Sequence, residues 1–348
     1  MNASNLNTGN FFMRRIPLIY PAILFLVCFA FYVWQFKTLH ATSSLQTTST
    51  TPAPSCPSTM VVVRSNNSML TRPLLMSDIT TESSNMQPLK SQIQDIIQSK
   101  ITAGIITSAS VYVRRMNNGE WISYNEFENY NPGSLIKVPM MMSYLKNSEK
   151  NPGILTKELM MDHEIQGMPL QTWNGKSIEI GKKYTIKQLL GAIVSESDNR
   201  ATYLINSNAD VDYFKRVFTD LGMPEPNVKD PNFTIRAIDY SKFLRVLYNS
   251  TYLNQQNSEF AMDLLSKCSF QDGMRKGVPD DVMIGHKFGE MKINGTEQLH
   301  ESGIIYASDG PILLTIMTKG KEVKVLPEVI TEITKAVYQG AAKSLASQ

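Results

Sequence analysis

Hydrophobic and polar residues follow three regimes along the chain. The first is an unbroken apolar run, "IPLIYPAILFLVCFAFYVWQF" from Ile16 to Phe36. It carries no charge and matches the ~20 residues a helix needs to span a bilayer. The second is "ATSSLQTTSTTPAPSCPST", Ala41 to Thr59, uncharged and rich in Ser, Thr and Pro, which reads as an extended stalk. The third is periodic. "QPLKSQIQDIIQSK" places Leu89, Ile93, Ile96 and Ile97 at helical spacing, predicting a helix over 87–100. "SASVYVRRM" then alternates as a strand, "NNG" turns the chain, and "EWISYN" returns as its partner. From Ser134 to about Asn254 the pattern is helical. "VMIGHKFGEMKI", "ESGIIYASDG" and "PILLTIMTKG" read as three successive strands, and "PEVITEITKAVYQGAAKSLA" closes with a helix.

Strands from both ends of this third regime flank a helical insert. That predicts an α/β (α+β) fold: an antiparallel sheet flanked by helices, with an all-helical subdomain and a cleft between them. The expected organisation is residues 1–15 as a cytoplasmic N-terminus, 16–36 as a transmembrane anchor, 37–68 as the stalk and 69–348 as the folded domain. The stretch "MVVVRSNNSMLTRPLLM" is expected to pack on the domain's edge. Arg14 and Arg15 precede the apolar run and Lys37 follows it, which favours a cytoplasmic N-terminus with the rest of the chain outside. A signal peptide cut near Ala41 to Ser43 is the rival, although the run exceeds the ~7–15 apolar residues usual there.

Charge and cysteine content narrow the chemistry. Among 348 residues, 34 are basic and 31 acidic, a net charge of +3, so no electrostatic footprint for nucleic acid is present. Cys28, Cys56 and Cys268 lie far apart, and His40, His163, His286 and His300 are scattered. Neither a disulfide framework nor a metal-ligand spacing can be read from them, and the expected chemistry needs no cofactor.

A lysine interrupts the oily run "NPGSLIKVPMMMSYLK", Asn131 to Lys146, three residues after a serine. At that spacing Ser134 and Lys137 share a helix face, with the serine at the helix N-terminus, where unpaired N–H groups favour negative charge. Two readings fit these residues alone. In one, Ser134 caps the helix and Lys137 snorkels to water. In the other, a buried lysine of lowered proton affinity activates a nucleophilic serine.

Two further motifs follow in order: Ser197-Asp198-Asn199 in "SESDNRAT", after a helical run, and Lys287-Phe288-Gly289 in "GHKFGE", on a predicted strand. Singly, each has an ordinary explanation as a cap or an exposed strand lysine. Together with Ser134-x-x-Lys137 they make the chain from about Met69 onward resemble the class A β-lactamase-related serine hydrolases, the penicillin-recognising serine enzymes. The resemblance implies a β-lactamase/transpeptidase-like fold and a β-lactam or peptidoglycan-peptide-like substrate. Ser134 would attack an amide carbonyl to form an acyl-enzyme, with Lys137 as base or proton relay. Ser197 would pass a proton to the departing nitrogen, and Asn199 would bond Lys137 and the substrate's amide side chain. Lys287 would anchor a substrate carboxylate, and the N–H groups of Ser134 and Glu290 would form the oxyanion hole. Gly289 would keep the strand clear for substrate. His286 and His300 are expected to be structural or rim residues, and Asp198 to satisfy backbone groups.

Two departures from the family pattern bear on activity. Phe288 stands where the family carries Thr or Ser. The interval "LGMPEPNVKDPNFTIRA", Leu221 to Ala237, lacks the deacylating glutamate's usual setting and holds only Glu225 and Asp230 as carboxylates. The resulting expectation is a membrane-anchored serine hydrolase acting on β-lactams or related cell-wall peptides. Its rivals are a D,D-peptidase-like penicillin-binding enzyme with slow deacylation and a non-catalytic wall-binding scaffold. Pro139, five residues after the serine, is expected to distort a helix that begins there.

Overall fold

The computed structural model describes residues 60–65, 73–168, 171–173, 175–227, 230 and 232–343. The expected cytoplasmic N-terminus and anchor, and the stalk before residue 60, lie outside these residues. Among the described residues no helix is long and apolar enough to cross a membrane.

The expected antiparallel sheet is present. Strands β3 (Ile106–Arg115), β4 (Trp121–Tyr124), β7 (Ile284–Ile293), β8 (Thr296–Ala307) and β9 (Gly310–Gly320) form one five-stranded sheet in the order β4-β3-β9-β8-β7. Pairing of β3 with β9 joins the two ends of the domain. Helix α1 (Gln87–Thr102) and helix α8 (Leu326–Lys343) pack on one face, where Ile93, Ile97, Ile330 and Ile333 meet Val111, Val113 and Leu314. The helical subdomain covers the other face, meeting it at Tyr112, Leu313 and Met317. Both faces of the central strands are thus buried, so β9 reads as the near-continuous apolar run "PILLTIM" rather than a strict alternation.

The subdomain comprises α2 (Lys137–Ser148), α3 (Ile186–Ser195), α4 (Asn199–Ser207), α5 (Val211–Thr219), α6 (Ala237–Tyr248) and α7 (Gln255–Ser266). It is not wholly helical: β5 (Glu158–Met160) and β6 (Lys183–Thr185) pair antiparallel within it. Three-residue strands are too short to leave a period in the sequence. The ordered part also starts earlier than residue 69. Strand β1 (Met60–Arg64) pairs with β2 (Leu74–Ile79), so part of the expected stalk belongs to the folded unit. At the end of β2, Asp78 takes both Arg114 and Arg245 at 2.6 Å.

Pro139 does not distort the helix, because the α-helix begins later than the sequence implied. Residues Gly133–Ile136 form a 3₁₀ turn and α2 starts at Lys137, which leaves Pro139 in the first turn, where its missing N–H costs little. The Leu135 carbonyl, four residues before Pro139, accepts the buried Tyr240 hydroxyl of α6 at 2.9 Å instead. Tyr240→Phe orphans that carbonyl, and the expected loss is about 1–3 kcal/mol of stability, read from the urea midpoint.

Candidate active site

Ser134 lies in the 3₁₀ turn and Lys137 ends it. Residues three apart in such a turn eclipse one another, so both side chains leave the backbone on one side. Lys137 does not snorkel: the residue is 2% exposed. Its Nζ donates to the Ser197 carbonyl at 2.6 Å, the Asn199 Oδ1 at 3.0 Å and the Ser197 Oγ at 3.3 Å. The serine-lysine turn and the Ser-Asp-Asn junction, sixty residues apart in the chain, therefore meet at the Lys137 Nζ. Burial, and after it the charge of Lys287, hold Lys137 well below the ordinary lysine range.

Ser197 joins α3 to α4 with a left-handed backbone, φ +57°, unusual for a side chain with a Cβ. Its carbonyl accepts both Lys137 and the Gln171 amide at 3.2 Å. Strained residues of this kind collect at functional sites because the surroundings hold them in place. Asp198 behaves as expected: its carboxylate caps α4 through the Arg200 N–H and accepts the Ile178 N–H at 2.8 Å and the Ser177 hydroxyl at 2.9 Å.

The third motif lies on β7, the edge strand, against the serine turn. Gly289 has a different reason from the one expected. A Cβ there would fall 2.4 Å from the Pro132 carbonyl oxygen and 2.7 Å from the Leu135 nitrogen, so its absence lets β7 touch the turn. Gly133 makes the reciprocal contact at φ +51°, where a Cβ would fall 2.4 Å from the Glu290 carbonyl oxygen. Two backbone segments in direct contact thus seat the Ser134 turn against Glu290 on the edge strand. The Glu290 carboxylate accepts the Thr172 N–H at 2.7 Å. The braces from Gln171 and Thr172 leave no signal in the sequence, since they depend on a loop folding back over distant residues.

Lys287 is fully buried, donates to the Phe288 carbonyl at 3.0 Å and stands 4.2 Å from the centre of the Phe288 ring. That ring stacks on Phe270 at 4.4 Å. Where the family carries a hydroxyl, this chain carries a core aromatic beneath the lysine. Burial lowers Lys287 to about 8 against the opposing charges of Cys268, Glu301 and Glu290. Lys287 is therefore cationic below pH 8 and loses its charge above it. Recognition of a carboxylate through this lysine should weaken as pH passes about 8, approaching about tenfold per further unit, checked as the pH profile of the acylation rate constant.

A cavity of about 660 Å³ opens beside Asn199, lined among others by Ile136, Met140, Tyr203, Phe214 and Asp230. Of the two loop carboxylates, Asp230 faces it. Glu225 is paired with Lys215 at 2.6 Å on a different surface. His300 is structural, bonding the Asn131 carbonyl through Nε2 at 2.9 Å and accepting the Thr318 N–H on Nδ1 at 3.2 Å. Burial lowers it to about 3, which leaves it neutral.

An antiparallel sheet with helices on both faces, a helical subdomain and a serine-lysine turn against the edge strand define a β-lactamase/transpeptidase-type fold. A family model described as the beta-lactamase enzyme family matches residues 88–341, and the chain belongs to that family. Solved structures agree on the fold. The β-lactamase of Sphaerobacter thermophilus is 19% identical with a TM-score of 0.63, the match covering 73% of this chain and 97% of that one. PBP-A is 16% identical at 0.65, covering 76% and 99%. A PBP-A mutant solved as an acyl-enzyme complex with penicillin G is 17% identical at 0.61, covering 74% and 97%. No curated protein sequence matches this chain.

Proposed function

We propose that the chain is a serine enzyme that opens β-lactams, or cell-wall peptides of similar shape, through an acyl-enzyme on Ser134. The observation that carries this reading is the Lys137 amine, buried, held by Ser197 and Asn199 one turn from Ser134 and kept by that burial well below the ordinary lysine range. A non-catalytic scaffold has no use for a desolvated lysine beside a serine hydroxyl, and burying that charge costs stability. In this reading Lys137 takes the Ser134 proton and Ser197 returns a proton to the leaving nitrogen. Asn199 and Lys287 orient the substrate, with the Ser134 and Glu290 amides receiving the oxyanion. Capture of a structurally similar PBP-A mutant as a penicillin acyl-enzyme supports the same first step. The test is covalent labelling of the purified chain by a fluorescent penicillin, mapped to the Ser134 peptide. A folded chain that stays unlabelled would favour the scaffold.

A D,D-peptidase-like variant of this function, with slow deacylation, is favoured by the loop 221–237, where Asp230 alone faces the cavity beside Asn199. We further propose that the apolar run 16–36 anchors the enzyme in the cytoplasmic membrane with the catalytic domain outside, where such substrates lie. Arg14, Arg15 and the uncharged run support this. Protease added to spheroplasts should release the domain by cutting between residues 41 and 59; full protection refutes this topology.

A further inference from the structure

Three reactive side chains converge on the far face of β7. His286 precedes Lys287 by one residue and so projects to the opposite side of the strand. It is buried there, neither a rim residue nor a simple packing one. Its Nδ1 lies 2.5 Å from Glu301 Oε1 on β8, and it lines one cavity together with Cys268. The second Glu301 oxygen accepts the Met274 N–H at 2.9 Å. Carboxylate, imidazole and thiol therefore cluster here, the carboxylate orienting the imidazole beside a cavity that the thiol also lines, the kind of setting in which an adjacent base activates a nucleophile.

Burial opposes ionisation of Cys268, but the charge and hydrogen bond of His286 outweigh it and bring the thiol below its ordinary range. Burial likewise opposes the charge on His286, while Cys268 and then Glu301 raise it to about 10. Cys268 and His286 both line a cavity of about 330 Å³, together with Gln271, Arg275 and Asp280. The Arg275 Nε beside them is buried without a hydrogen-bond partner. The cavity admits a small polar reactant to a sulfur whose own residue is nearly inaccessible.

We propose that Cys268 is a reactive thiolate that small hydroperoxides oxidise to a sulfenic acid, with His286 as the proton donor. The sulfur attacks one oxygen of hydrogen peroxide and the O–O bond breaks. The departing hydroxide takes the proton from His286 and leaves as water. Cys268 loses two electrons, the peroxide gains them, and His286 ends neutral. The step replaces a thiolate, one of the charges that sustain Lys287, by a neutral group. Phe270, two residues from Cys268, stacks on Phe288. Oxidation on one face of β7 thereby weakens carboxylate recognition on the other.

The test is peroxide treatment of the full chain in the presence of a sulfenic-acid trap, followed by peptide mapping, which separates Cys268 from Cys28 and Cys56. Trapping at Cys268 in the folded chain should run about tenfold or more faster than in urea, since an ordinary thiol is only a few per cent thiolate at pH 7. His286→Gln should remove that advantage. Should this variant fold poorly, the pH profile of iodoacetamide alkylation of the wild type decides, and its plateau should extend below the ordinary thiol range. No advantage over the unfolded chain, or an ordinary alkylation profile, overturns the proposal. These readouts do not involve Ser134 and stand or fall apart from the serine-enzyme reading. For the coupling, peroxide should slow penicillin labelling several-fold in the wild type and leave Cys268→Ser unchanged. An equal loss in both would place the damage elsewhere and refute it.

Discussion

Exchange of Ser134 for alanine should lower covalent labelling by fluorescent penicillin roughly 10⁴-fold or more, to background, because the proposed acyl bond forms on the Ser134 hydroxyl. The fold should survive, since Ser134 is half-buried in a turn held by Gly133, Gly289 and the Tyr240 hydroxyl. Lys137→Ala should slow acylation by about 10²–10⁴-fold while leaving the nucleophile in place. It should also cost stability, because the Ser197 carbonyl and Asn199 Oδ1 lose the donor they share. Thermal melts beside stopped-time labelling separate the two effects. A folded Ser134→Ala chain that still labels at the wild-type rate would place the nucleophile elsewhere.

Long, strongly patterned elements were legible in the sequence, and short or contact-dependent ones were not. Alternation in "SASVYVRRM" and the apolar run in "PILLTIM" are dictated by burial on a sheet, so β3 and β9 could be read without coordinates. Strands β5 and β6 are three residues each, and nothing in their composition separates them from loop. The serine, both lysines, Ser197, Asn199, Gly289 and Glu290 were nominated from ordered motifs, and the structure brings the lysine, the serine junction and the edge strand together. What spacing could not show is why the pieces hold. Gly289 is needed against the turn at Pro132 and Leu135, a contact between segments more than 150 residues apart. The α-helix starts later than the motif implies because Tyr240, from another helix, bonds the Leu135 carbonyl and accommodates the 3₁₀ turn at Ser134. His286 read as structural because its partners, Cys268 and Glu301, come from a loop and a neighbouring strand.

With a chromogenic cephalosporin in excess, the chain should give a burst near one equivalent followed by a slow steady state, with the adduct found on the Ser134 peptide by mass spectrometry. In the proposed mechanism acylation has its machinery in the Lys137 cluster. Deacylation needs a base that aims a water at the ester, and the interval 221–237 supplies no glutamate in the family's setting. Glu225 is committed to Lys215 on another surface. Asp230 faces the cavity beside Asn199, but one of its oxygens already accepts the Asn232 N–H at 2.8 Å. Lack of a positioned base typically costs about 10²–10⁴-fold, roughly 3–5 kcal/mol of barrier, so the acyl-enzyme should accumulate. Fast turnover without a burst would contradict this and point to Asp230. Asp230→Asn should then restore the burst, whereas Glu225→Gln, whose carboxylate is paired with Lys215 and does not line the cavity, should leave turnover unchanged.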